Sequence, residues 1–72
     1  NDGKFRQAYQ INGKIALEGN FQNGFKQGPW LFYDPDGKLK IVKYFEKGIE
    51  KTPPADQQKE IDRLIEQKAG IQ

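Results

Sequence analysis

Cysteine, histidine, methionine and serine are absent from this chain of 72 residues, and threonine occurs once, as Thr52. Without Ser, Cys or His the common nucleophile–base triads cannot be assembled. A zinc site would lack its usual nitrogen and sulfur ligands. No disulfide can staple the fold, which fits a reducing compartment and equally a secreted domain that avoids thiols. Long apolar runs are missing too, and none approaches the ~20 residues of a membrane-spanning helix. No signal-peptide pattern is visible. With no Met even at its start, the chain reads as a processed or trimmed piece of something longer.

A strong excess of charge is also missing. Twelve Lys and Arg against ten Asp and Glu leave +2 at pH 7, far from the concentrated basic patch of a typical nucleic-acid binder. The balance is uneven, at +3 over residues 1–54 and −1 over residues 55–72. Only 35% of the residues are hydrophobic. A chain this short buries about 60% of its unfolded surface, so its core must be economical.

What the chain does contain is a repeat. Shifted by 24 residues, Asn12-Gly13-Lys14 falls on Asp36-Gly37-Lys38, Tyr9 on Tyr33, Phe21 on Phe45, Gly24 on Gly48 and Pro29 on Pro53. A period this short leaves room for one β-hairpin per repeat. Asn12-Gly13, Asn23-Gly24 and Asp36-Gly37 are strong hairpin signals, and Lys47-Gly48 is a weaker one. The runs between them predict strands near 4–10, 14–22, 25–33 and 38–46, with a short fifth at 49–52. Consecutive hairpins make an antiparallel meander.

The turns also predict a register. A two-residue turn at Asn23-Gly24 pairs Gln22 with Phe25, and then sets Gly19 opposite Gly28, Leu17 opposite Trp30 and Ile15 opposite Phe32. A four-residue loop from Asp34 to Gly37 pairs Tyr33 with Lys38, Phe32 with Leu39 and Trp30 with Ile41. Both turns place Ile15, Leu17, Phe21, Trp30, Phe32, Leu39, Ile41 and Phe45 on one apolar face. The other face mixes Lys14, Glu18, Asn20, Lys38 and Lys40 with Tyr33, Tyr44, Phe25 and Val42, and is expected to be partly wet.

Pro53-Pro54 ends the sheet, because proline cannot donate to a ladder. From Ala55 to Ala69 the period changes, with Ile61, Leu64 and Ile65 at i, i+3 and i+4. This predicts an amphipathic helix, with Asp56 in its first turn and Gly70 as its stop. The expected role of its narrow stripe is to cover the apolar face of the sheet. The alternative is docking on a partner or a second copy. Asp62 and Glu66 beside Lys59 and Arg63 argue against a membrane-surface helix.

The full repeat reads Glu18-Gly19-Asn20-Phe21-Gln22-Asn23-Gly24-Phe25-Lys26-Gln27-Gly28-Pro29-Trp30-Leu31-Phe32-Tyr33, then Asp36-Gly37-Lys38-Leu39. It resembles the MORN repeat in the variant form common in bacterial proteins: E-G-x-aromatic, N-G-x-K-x-G, an aromatic, Tyr, then a turn N-G-K. Asp36 stands in place of the last Asn. The resemblance covers roughly residues 5–52, as one full and two partial repeats. In the flanking copies Lys43-Tyr44 replace the Gly19-Asn20 pair and Thr52 replaces Gly28. The helix lies outside the pattern. The resemblance implies hairpins built into an elongated sheet, and an interaction or scaffolding role without general catalytic residues. It also implies, for some members, contact with phospholipid membranes, an antitoxin-like role or a place among surface lipoproteins. The trimmed start then points to the bacterial cell envelope or to secretion, with the cytoplasm as the alternative.

Other motifs reduce to turns and packing. Asp34-Pro35-Asp36-Gly37 has part of a calcium-loop pattern, but Phe32 and Lys43 stand where an EF-hand needs its first ligand and its final Glu. Gly19-x4-Gly24 has Walker A spacing with Phe25 in the Lys position. Gly19 and Gly28 are better read as allowing close backbone approach, or as leaving a groove for Phe21 or Trp30. Trp30 itself is read as core.

The expectation is therefore one α+β domain. Residues 1–53 form an antiparallel meander of four to five strands, and residues 54–72 a helix packed on it. The function expected is a non-catalytic protein-interaction module with no cofactor or metal, binding through a free strand edge or the Tyr/Lys face of Tyr9, Tyr33, Lys38, Lys40 and Tyr44. The partner is a protein or, by edge pairing, a second copy. Anionic membrane binding is the alternative. Single-stranded nucleic acid stacked on the tyrosines is disfavoured, because Glu18 and Glu46 dilute the charge.

Overall fold

The computed structural model describes residues 2–68. The meander forms as the turns predict. Strands β1 (Gly3–Ala8), β2 (Ile15–Gln22), β3 (Phe25–Tyr33), β4 (Leu39–Glu46) and β5 (Ile49–Glu50) lie in sequence order in one antiparallel sheet, followed by helix α1 (Ala55–Lys68). The fold is α+β. Gln22 pairs with Phe25 across Asn23-Gly24, and Glu46 pairs with Ile49 across Lys47-Gly48. Asn23 and Lys47 both take positive φ, at 54° and 52°, so the turn read as weaker adopts the same primed geometry. The short β5 is extended by one bond, from Lys51 N–H to the Tyr44 carbonyl, before Pro53-Pro54 stops pairing. The expected helix residue Ala69 and its stop Gly70 lie outside the described residues.

The sheet carries three bulges, two of which shift the expected register, and the faces change with it. Between the pairs Asn20–Gln27 and Glu18–Leu31, β2 advances by Gly19 alone while β3 uses Gly28, Pro29 and Trp30. Leu17 therefore faces Phe32 rather than Trp30. Two residues explain this. Gly28 takes φ +82°, which an L side chain resists, and Pro29 has no N–H to donate. The second bulge lies beyond the Asp34 loop, which closes through Asp34 N–H on the Lys38 carbonyl at 2.9 Å. Tyr33 then pairs with Leu39, and Phe32 with Ile41, so Lys40 is the extra residue. The third is at Ala16, between the pairs Ala8–Ile15 and Gln7–Leu17. Ala16 and Lys40 occupy equivalent positions of the 24-residue repeat, so the repeat carries the bulge as well as the turns.

A bulge re-aims the strand beyond it. Ile15 and Leu39 thereby leave the predicted apolar face and join Leu31, Tyr33 and Val42 on the opposite one. That face is the one α1 covers. Ile61 is buried, and Leu64 and Ile65 pack against Leu31, Tyr33 and Leu39. The stripe on the helix is the predicted one; the side of the sheet it seals is not. The expected wet face is half of the core.

The other side keeps Trp30 at its centre, 1% exposed. Phe5, Phe21 and Phe45 surround it, with ring centroids 5.9, 5.2 and 6.4 Å from the indole. The indole N–H donates to the Asn20 carbonyl at 3.1 Å. Gly19 lies directly beneath, where a Cβ would overlap the ring. Of the two roles predicted for this glycine, the groove for Trp30 is the one observed.

Candidate functional site

The five residues predicted as an interaction face differ in exposure: one is buried, two are half-buried and two are exposed. Tyr33 is 7% exposed, within the core. Its hydroxyl donates to Glu18 Oε2, and Tyr9 donates its own hydroxyl to the Tyr33 carbonyl at 2.7 Å. Tyr44 is half-buried, beside Ile61 and Ile65 of α1. Lys38 and Lys40 are exposed at the loop and the bulge. Helix α1 lies against Tyr33 and Tyr44, and Tyr9 is tied to the Tyr33 backbone. Tyr33, 7% exposed, is therefore not available as an open docking or base-stacking surface.

Around Tyr33 the structure assembles an ionic cluster. Glu18 meets Arg6 Nε at 3.3 Å and Lys68 Nζ at 3.9 Å, tying the end of α1 to β1 and β2. Burial holds the Tyr33 phenol well above its usual titration range. The Glu18 carboxylate adds to this as hydrogen-bond acceptor and as negative charge, and Arg6 opposes it. The phenol therefore keeps its proton near neutral pH and serves as a hydrogen-bond donor to Glu18. Among the described residues no three His, Cys, Asp or Glu side chains converge as a metal site, and no helix is long and apolar enough to cross a membrane.

The side of the sheet away from α1 is the more distinctive surface. Phe5 is 38% and Ile41 48% exposed there. Phe32 and Leu17 lie between them as a half-buried pair. Lys26 Nζ sits 5.1 Å from the Trp30 ring centre and 4.9 Å from that of Phe45, and Lys43 Nζ lies 5.9 Å from that of Phe32. These distances are within cation–π range. Among the described residues no element covers this aromatic, cationic surface. An antiparallel sheet with one wet side normally shows polar residues there.

Sequence alternation did place Trp30, Phe32, Phe21, Phe45 and Ile41 on one side. It missed that this side stays open, and it missed Lys26 and Lys43 among the aromatics. The signal was present in the Phe21–Lys26 pair, which follows from the correctly predicted Asn23-Gly24 turn. Comparison with protein-family models, with curated proteins and with solved structures finds no match to this chain.

Proposed function

We propose that the chain is a non-catalytic protein-interaction module of MORN-repeat type, docking through its uncovered aromatic face. One observation carries this: Phe5 and Ile41 are exposed on a sheet face that no second layer covers among the described residues, around a fully buried Trp30. A contiguous apolar surface left open on a small domain marks a contact site. Lys26 and Lys43 lie among the rings and give the surface a positive character, which suits an apolar partner carrying carboxylates. The antitoxin-like role is a special case of the same reading, with one tight protein partner.

The test is differential capture from the producing cell, using wild type, Ile41→Asp and a Lys40→Ala control. Circular dichroism confirms folding of each. A protein held by wild type and control but lost with Ile41→Asp is the expected outcome. Equal capture by all three overturns the proposal. A second reading, peripheral binding to anionic membranes, draws on the same lysines. Flotation with phosphatidylserine vesicles tests it at low salt, where weak electrostatics are strongest; no flotation there excludes it.

A further inference from the structure

The two edges of the sheet are unlike. β5 has two residues and runs into Pro53-Pro54. β1 has six, contains no proline, and among the described residues pairs only with β2. Every second residue of such an edge points its N–H and C=O outward, as a template for another strand.

The side chains of β1 say which strand. Lys4 and Arg6 alternate with Phe5, so both lie toward α1 while Phe5 joins the aromatic face. Beside them a cleft of about 330 Å³ opens between the sheet and α1, with Pro29, Leu31 and Leu64 in its lining and Lys4, Arg6 and Lys68 among its charged groups. The carboxylate there, Glu18, is already engaged by Tyr33, Arg6 and Lys68. Among the described residues no ion pair includes Lys4.

We infer that β1 captures an extended segment of a partner protein as an added strand, in which two acidic residues flank an apolar one. The acidic side chains fall opposite Lys4 and Arg6. The apolar residue between them falls beside Phe5 and extends the aromatic face. A second copy of β1 does not fit. With Phe5 at the two-fold centre, Lys4 of each chain meets Arg6 of the other; with Arg6 at the centre, the two arginines meet. The charges that keep β1 from pairing with itself are the ones that select an acidic strand. The inference rests on the interaction-module reading and specifies its partner.

The test uses the full chain and a fluorescent peptide, Thr-Glu-Val-Glu-Val-Thr, followed by anisotropy at low ionic strength. Controls are its Lys-for-Glu counterpart and a version N-methylated at alternate amides, which cannot complete a ladder. The acidic peptide binds, the basic one does not, and N-methylation abolishes binding. Lys4→Gln weakens binding about threefold and Lys4→Glu about tenfold. Amide exchange of β1 slows on binding. The inference is overturned by no binding of the acidic peptide, binding that survives N-methylation, affinity unchanged in both Lys4 variants, or tighter binding of an oligothymidine on the same site. If peptide-induced shifts map to Lys26 and Lys43 instead, β1 is not the site and the interaction-module reading stands.

Discussion

The two sides of the sheet reach low exposure by different means. On the helix side, Leu31, Tyr33 and Leu39 are sealed by another element, whose Ile61, Leu64 and Ile65 arrive from the far end of the chain. On the aromatic side, Trp30 is sealed by its own sheet: Phe5, Phe21 and Phe45 surround it, Lys26 Nζ sits over it, and Gly19 lets it sink. The first side is closed and carries the hydrogen-bonded tyrosines. The second is left uncovered by the described residues, and Phe5, Ile41 and two lysines form its outer surface. A small domain can thus bury its tryptophan completely and still leave apolar side chains exposed around it.

This contrast can be broken by substitution. The largest effect belongs to the self-sealed side: Trp30→Ala removes the hub of four rings and is expected to cost about 3–5 kcal/mol in urea unfolding. A loss below ~1 kcal/mol would mean that the aromatic cluster does not hold the sheet. On the helix side Ile61→Ala should cost about 2–3 kcal/mol. It should leave the near-ultraviolet signal of Trp30 unchanged, because the two clusters lie on opposite faces; a collapse of that signal would show one shared core.

The smallest effect sharpens the contrast through pH. Tyr33→Phe should cost about 1–2 kcal/mol at neutral pH, the worth of a hydrogen bond to a charged acceptor. The folded protein holds the phenol neutral beyond the point where the unfolded chain ionises, near pH 10. The native state therefore binds more protons above that pH, and stability falls as pH rises, by up to ~1.4 kcal/mol per pH unit for this group. Unfolding curves from pH 8 to 11 should show this extra alkaline loss in wild type and not in Tyr33→Phe. Parallel slopes would place the Tyr33 phenol outside the protected side.

Much of the fold was legible because local chemistry specifies it. Asn23-Gly24 fixes its hairpin whatever lies around it, and Ile61, Leu64 and Ile65 mark a helix stripe by spacing alone. The bulges were less legible. Gly28-Pro29 warned that β3 would leave the ladder, but how many residues it would spend opposite Gly19 depends on how the Trp30 ring settles over that glycine. Lys40 and Ala16 carry no local signal of being unpaired. One residue left out of register moves every later side chain to the other face. That is why Ile15 and Leu39 were misplaced, and with them the identity of the wet side. The candidate site suffered most: Tyr33 and Lys38 share a face only if they pair, and Tyr33 pairs with Leu39.

By itself, then, the sequence determined the meander, its turns, the 24-residue repeat, the helix with its stripe, and the burial of Trp30, because each rests on contacts or dihedrals within a few residues or one hairpin. Tertiary structure alone decided which side the helix seals. Both faces carry enough apolar residues to accept a stripe as narrow as that of α1. The choice follows from three bulges and from the packing of three phenylalanines around one indole, and these are settled only when all the strands pack together.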